Sequence, residues 1–516
     1  MRFAALVALL FLAASAVAQE TTPPAEPPKP AEPEVKPEQK PDPFAGDERR
    51  RARMTLEECL KAALESNLDL AYSRLQPDLS RGDIHGFKGT YDPIPYVTGT
   101  RRSSKTGTAS SLAGADVLSD KLWAAAVGVK GTWFLGTTYD INFQTSRDDT
   151  NNTFSTLDPR WDSSIGFSLR QPLLKNAWMD YQLITLRVFE NSYRSSVFQV
   201  SVDTVATIYA VELAYWTLVD SINQKAVKDR SLQVSQRLFE VNRNKVKAGA
   251  LAPIEELRAE SDVASRREGI ILAANTIENA MDELRRLIRP FNRPEDWDFI
   301  IEPADAPVFT PRLVDLDAAV GEAISSRPEL EQLRIAIESS NLDSKRYSRD
   351  LWPTLDLTGS IRYTGLGGNM GDSLERIRSW DFNTWEVGVI FEYPLGTRTA
   401  RGQLIRAETE QRRAEIALRN QEQGVVLEVR TAARELKSTA ERIEATRTAG
   451  RLALRAMEAE QARYERGLTT SHQLLQFLND QETAAANEEK AVVDYKIAEL
   501  KLRKATGRIL KERAGR

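Results

Sequence analysis

The sequence predicts an α+β membrane protein built by tandem duplication, with short strands that contribute to a barrel and very long helices that form a coiled coil. Three observations predict it. First, the stretch from Leu56-Glu57-Glu58-Cys59-Leu60 to Leu68-Asp69-Leu70 recurs about 260 positions later, from Leu316-Asp317-Ala318-Ala319-Val320 to Pro328-Glu329-Leu330. The same offset carries Pro93 onto Pro353, Thr98 onto Thr358 and Gly99 onto Gly359. Solenoid repeats run to roughly 20–50 residues, so a unit of this length is a duplicated larger element. Second, each half contains segments of period two. Third, each half contains a long proline-free stretch with three-four apolar spacing.

At the start, Met1 to Ala18 holds one arginine, an apolar run from Phe3 to Ala14, and Ala16-Val17-Ala18 before Gln19. This is the pattern of a signal peptide, because the apolar run is shorter than the roughly 20 residues of a spanning helix. Residues 19–53, rich in Pro, Glu, Lys and Ala, are expected to form an extended tether that buries no core. No cysteine follows Ala18, so no lipid anchor at a new N-terminal cysteine is expected. The single cysteine, Cys59, has no partner for an internal disulfide and lies on the apolar side of a helix, where burial is expected.

The first repeat is expected over residues 54–311 and the second over 312–511. Each begins with a short helix closed near Asn67 or Pro328, followed by a second helix that runs to Pro93 or Pro353. The period then changes. Leu355, Leu357, Gly359, Ile361 and Tyr363 alternate with Asp356, Thr358, Ser360 and Arg362, and Trp385, Val387, Val389, Phe391 and Tyr393 alternate with Glu386, Gly388 and Glu392. In the first half, Ile165, Phe167 and Leu169 alternate with Ser164, Ser168 and Arg170, and Tyr139, Ile141 and Phe143 with Asp140, Asn142 and Gln144. These are half-buried strands. They place strands at about 93–170 and 353–394, with an extra hairpin in the first half around Leu122 to Ser146. Trp123, Trp133, Trp161, Trp178, Trp352, Trp380 and Trp385 lie in or beside these strands, a clustering that fits an aromatic girdle at a membrane surface. A soluble sandwich with an aromatic core is the competing reading of the same rings.

The helical hairpins are expected at about 178–290 and 399–511. In the first, Val205, Ile208, Val211, Tyr215, Leu218 and Ile222 keep three-four spacing; in the second, Leu418, Val425, Val429, Ala432, Leu436 and Ile443 follow heptads. Seventy helical residues reach roughly 100 Å, far beyond a compact domain. Each long helix meets a glycine, Gly249 or Gly467, a residue suited to a left-handed helix end. Four or six strands are too few to close a membrane barrel, and an open edge cannot face lipid, so several chains must share one barrel.

Composition narrows the function. A formal charge of −4 points to no polyanionic partner, and no nucleic-acid module is present. The chain has two histidines, His85 and His472, so a histidine-dependent triad or a multi-histidine metal site has little material; no phosphate loop or nucleophile elbow occurs, and no cofactor, metal or catalytic residue is expected.

With these pieces in order, the sequence resembles the TolC-type outer-membrane efflux protein family over nearly all of the chain after the tether. The resemblance rests on the duplicated helix start, on the strand closures Gln171-Pro172-Leu173-Leu174 and Tyr393-Pro394-Leu395-Gly396, and on the tips Ala248-Gly249-Ala250-Leu251-Ala252-Pro253 and Arg466-Gly467-Leu468-Thr469-Thr470-Ser471. It implies a homotrimer whose chains share one outer-membrane barrel, continuous with a helical periplasmic tunnel. It implies export without bond chemistry, the tunnel docking on a periplasmic adaptor (membrane fusion protein) and an inner-membrane pump in drug efflux or type I secretion. The adaptor would grip Gly249, Ala250, Leu251, Gly467, Leu468 and Thr469. Family members often close the tip by a tyrosine and an arginine of the second hairpin held to an acid of the first. Here Tyr464 and Glu255 match, while Thr469 stands at the arginine position. Two constriction aspartates of the family correspond to Gln473 and Gln476, which implies a narrow ring without a strong cation field. A soluble periplasmic coiled-coil scaffold or chaperone is the alternative that would keep the helices and lose the membrane.

Overall fold

The computed structural model describes residues 44, 47–109 and 114–514; the leader and nearly all of the tether lie outside these. In chain order the elements are β1 (Arg50–Met54), α1 (Leu56–Ser66), α2 (Leu68–Lys88), β2 (Ile94–Gly107), β3 (Val117–Thr132), β4 (Thr138–Thr150), β5 (Arg160–Pro172), α3 (Trp178–Lys247) and α4 (Pro253–Ile288). There follow β6 (Phe299–Pro303), α5 (Leu316–Ser326), α6 (Pro328–Arg349), β7 (Thr354–Gly367), α7 (Met370–Arg378), β8 (Asn383–Glu392), α8 (Arg398–Glu465), α9 (Ser471–Ala505) and α10 (Arg508–Ala514).

The short helices start where the chemistry of the caps directs. Thr55 and Glu58 form a capping box on α1, and Asn67 both ends α1 and caps α2 by accepting from Leu70 N. In α5 the same task falls to Asp315, and Pro328 opens α6 at a position where its missing N–H costs nothing. Cys59 is fully buried in the largest core cluster, beside Leu60, Val211 and Met281, and burial pushes its thiol up to about 12.

Three details depart from the sequence expectation. The tether does not extend to residue 53: Arg50–Met54 is a strand that pairs in parallel with β6, whose Phe299, Ile300 and Ile301 are buried. The three arginines of β1 hide a strand whose partner lies some 250 residues away. The second hairpin does not run as one helix to 511, because Gly507 in the left-handed region separates α9 from α10. Finally, one 18-residue window of α3 is apolar enough by composition to cross a membrane, although no segment after the leader reads as a spanning helix from sequence. That helix packs on α1, α2, α4, α6 and α9, and its Val205, Ile208, Val211, Tyr215 and Leu218 are core residues.

The strands form one six-stranded antiparallel sheet in the order β2-β3-β4-β5-β7-β8, so the first-half hairpin joins the same sheet as the second-half strands. Register sorts its two faces. Val97, Val127, Phe143, Ile165 and Tyr363 lie in one cross-strand row, and Val129, Ile141, Phe167, Ile361 and Trp385 lie in another on the same face. The opposite face carries Lys130, Asp140, Ser168, Ser360 and Glu386 in register. The apolar rows are open: Val97 is 80% exposed, Val127 51%, Trp385 71% and Val389 65%. A soluble sandwich would cover this face, and nothing among the described residues does so over most of its area.

The tryptophans mark its limits. Trp123 and Trp161 stand in register on either side of Arg147 at the loop end, while Trp133, Trp178 and Trp352 gather at the helix end. Trp123 and Trp133 are about ten residues apart, roughly 33 Å along a strand. At the usual tilt this gives about 25 Å, the height of a barrel's apolar band.

Candidate functional site

Opposite the sheet, the two hairpins end in turns of the same design. Gly249 and Gly467 have φ of 72° and 75°, the left-handed conformation that L side chains avoid. Ala250 N donates to Lys245 O at 2.8 Å and Gly249 N to Val246 O at 2.9 Å; Leu468 N donates to Arg463 O at 2.9 Å and Gly467 N to Tyr464 O at 3.1 Å. Both are Schellman closures. Pro253 and Ser471 then start the return helices, the second capped by Thr470. Gly249, Ala250, Gly467 and Leu468 are exposed, whereas Leu251 and Thr469 are half-buried. Ile254 and Leu257 at the start of α4 are also exposed, at 50% and 60%.

Behind the turns the hairpins are fastened to each other. Tyr464 is buried with Leu238, Met457, Leu474 and Leu478, and the Lys245 ammonium sits 4.3 Å from its ring centre. Its hydroxyl donates to Asn242 Oδ1 rather than to Glu255. Burial, with the nearby Glu255 carboxylate, holds the Tyr464 phenol above its ordinary pKa. Fully buried Asn242 donates in turn to the backbone carbonyl of Glu255 at 3.4 Å. The Glu255 side chain accepts from Ser471 of the second hairpin and, at 2.9 Å, from Arg258 of its own helix. Thr469 donates to Glu460 and lies 2.6 Å from the side-chain amide oxygen of Gln473; Gln473 and Gln476 are exposed.

The structure therefore brings Glu255 and Tyr464 into one network, but through Asn242, and supplies the cation as Arg258 and Lys245 rather than at position 469. Asn242 and Ser471 gave no signal in the sequence, since an isolated amide and a helix-start serine are common on any helix. Higher up, Arg266, nearly fully buried, joins three helices: it donates to Asp262 at 2.8 Å on α4, to Asn479 at 2.6 Å and Glu482 on α9, and to Ser231 on α3. Its α9 partners lie more than 200 residues away in sequence, beyond any local pattern.

Residues 319–508 match the family described as outer membrane efflux protein. The second half of this chain thus matches the model of an outer membrane efflux protein domain. The rest of the chain shares the fold of such channels. The CmeC outer membrane channel of Campylobacter jejuni superposes with a TM-score of 0.64 at 16% identity, covering 88% of this chain and 85% of that one. The outer membrane protein VceC of Vibrio cholerae gives 0.66 at 15% identity, over 88% and 96%. The open state of the Neisseria gonorrhoeae MtrE outer membrane channel gives 0.58 at 17%, over 88% of each. No curated protein matches in sequence. An efflux protein of this kind resides in the outer membrane and reaches into the periplasm, and the family comprises transporters rather than enzymes. A soluble periplasmic scaffold does not fit that location.

Proposed function

We propose that this efflux protein is the exit duct of a three-part export machine, in which three copies share one outer-membrane barrel and one helical tunnel. The observation that carries the reading is a sheet with one open apolar face that feeds directly into helices of 70 and 68 residues. Both edges of the sheet, β2 and β8, are unpaired in a single copy, and an unpaired edge is not tolerated in lipid. Three copies bring eighteen strands, a number that leaves an aqueous channel of porin width. The polar face, with Lys130, Asp140, Arg362 and Glu386, lines that channel, and the apolar rows face lipid. The helices, roughly 100 Å long, carry the duct to the tips.

The tips are the contact for a periplasmic adaptor, through Gly249, Ala250, Leu251, Gly467, Leu468 and Thr469, with exposed Ile254 and Leu257 adding apolar surface. Asn242, Glu255, Tyr464 and Ser471 hold the tip shut, and Gln473 and Gln476 narrow it without fixed charge. An inner-membrane pump drives transport and selects the cargo.

Two measurements test the proposal. The purified protein should migrate as a trimer in mild detergent and form steps of ionic conductance in planar bilayers; a monomer that never conducts would refute it. Gly467→Leu should abolish export in cells while the trimer and its conductance persist, because a side chain at a left-handed position distorts the turn at a cost of about 1–2 kcal/mol. Normal export by that variant would remove the tip from the proposal.

A further inference from the structure

The outward face of the sheet does not end at its aromatic row. Above Trp123, on the same face, β2 and β3 carry Arg101, Lys105 and Lys121. Arg101 stands directly across from Trp123, with its guanidinium 4.6 Å from the indole centre. Lys121 is across from Ser103, and Lys105 across from Ser119, so Lys121 is the diagonal neighbour of both Arg101 and Lys105, which stand four residues apart on β2. Diagonal positions on a sheet are about 7–8 Å apart, a spacing over which long side chains converge on one group.

The only acid directly across from any of them is Asp149, opposite Lys121, and Asp149 is taken by Arg147 at 2.8 Å. No carboxylate among the described residues lies within ion-pair distance of Arg101, Lys105 or Lys121, and all three are exposed. A second element reports the level of this patch. Helix α7, between β7 and β8, lies flat against the same outward face, with Ser373 buried and bonded to Ser163 at 2.8 Å. Gly365 makes room for it, since a Cβ there would strike the Ser373 carbonyl. This short amphipathic helix leaves Met370 and Leu374 exposed beside the apolar rows, and Trp380 in the turn that follows it is exposed there too, in the manner of an interfacial helix.

We infer that Arg101, Lys105 and Lys121 form a binding site for the phosphate groups of a phosphorylated lipid in the leaflet that surrounds the loop end of the barrel. Trp123 sets the depth, and Arg101 extends from its ring into the headgroup layer. Charge complementarity and continuity with the apolar rows select a lipid over a soluble partner. The inference rests on the proposal that those rows face lipid.

The test uses full-length protein in detergent, with native mass spectrometry to count bound lipid after titration with diphosphoryl lipid A or with phosphatidylcholine. The wild type should retain the phosphorylated lipid in preference. R101Q/K105Q/K121Q should weaken retention on the order of 10-fold or more, each cation near an anionic surface being worth a several-fold factor. The charge-preserving R101K/K105R/K121R should retain it, which separates charge from misfolding. Equal retention by the neutral triple variant, no preference over phosphatidylcholine, or displacement by inorganic phosphate at matched concentration would each overturn the inference. Quenching of Trp123 by brominated lipid in vesicles, read as the difference from Trp123→Phe, separates the two readings. A quenched Trp123 with unchanged lipid retention defeats the headgroup site alone, whereas an unquenched Trp123 defeats the lipid-facing assignment beneath it.

Discussion

Hairpin α3–α4 and hairpin α8–α9 have helices of 70 and 36 and of 68 and 35 residues, and both turn at a left-handed glycine, but they are packed differently. Around α3 lie α1, α2, α4, α6, α9 and α10, and its middle third supplies the largest core cluster of the chain. Among the described residues, α8 packs mainly on α5, α6 and α9. Its buried seam, Val425, Val429, Ala432, Leu436 and Ile443, is narrow, and the opposite side leaves Ile405, Ile416 and Leu427 open at 64%, 64% and 63%. Those three are evenly spaced at about three helical turns and form one stripe. Helices of nearly equal length can thus serve unequal purposes: α3 is the internal mast of one chain, and in the proposed trimer α8 is the wall that one chain presents to another.

The largest effect should come from breaking the mast. Tyr215 is fully buried in α3, and its hydroxyl lies 3.1 Å from Asp305 Oδ2 and from Asp305 N, at the junction with the first short helix and β6. Tyr215→Ala removes the ring from a closed site and should cost about 3–5 kcal/mol. Thermal unfolding in detergent, followed by circular dichroism, should show the transition lowered well below that of wild type. An unchanged transition would mean that α8 rather than α3 organises the chain.

Next in size is the fastener between the hairpins. Arg266→Ala leaves Glu482 beside an empty site and strands Asn479, while Ser231 keeps its bond to Glu482 at 2.7 Å, so a loss of about 3 kcal/mol is expected, at the low end for a buried ion pair because Glu482 is partly exposed. R266M/E482M should recover much of that loss, since an apolar pair of similar volume often replaces a buried ion pair without penalty. A double-mutant cycle measures the coupling. Additive losses would show that the two hairpins are independent at this height.

How much of this contrast was legible beforehand follows from the range of each interaction. The periods of α3, α8 and the strands are local, and so are the glycines at the turns; these read directly from residue spacing. The clustering of the tryptophans beside the strands was also legible, although the common level of Trp123 and Trp161 needed the register. By contrast, β1 is three arginines and two apolar residues whose strand identity comes from β6, and Arg266 looks like any helical arginine until α9 arrives beside it. The tip was half legible: the family resemblance marks Glu255 and Tyr464, but the amide between them belongs to an unmarked turn of α3.

The smallest effect on folding, and the sharpest test of the comparison, is expected on the open stripe of α8. In a single chain Ile416 and Leu427 face solvent, so I416E/L427E should change the stability of the isolated chain by no more than about 0.5 kcal/mol per site. In the proposed trimer the same positions lie against the neighbouring copy, where two carboxylates would be buried without partners, at a cost that disfavours assembly strongly. Size-exclusion chromatography with light scattering in detergent should therefore show a monomer whose helix content and melting are near those of wild type. A trimer that persists would assign the stripe to the lumen or to the periplasm, and the neighbour would then have to meet α8 through its polar side. Because the same variant in α3 would strike the core, a matched pair with Val211→Glu calibrates the result: one substitution should unfold the chain and the other should only separate the copies.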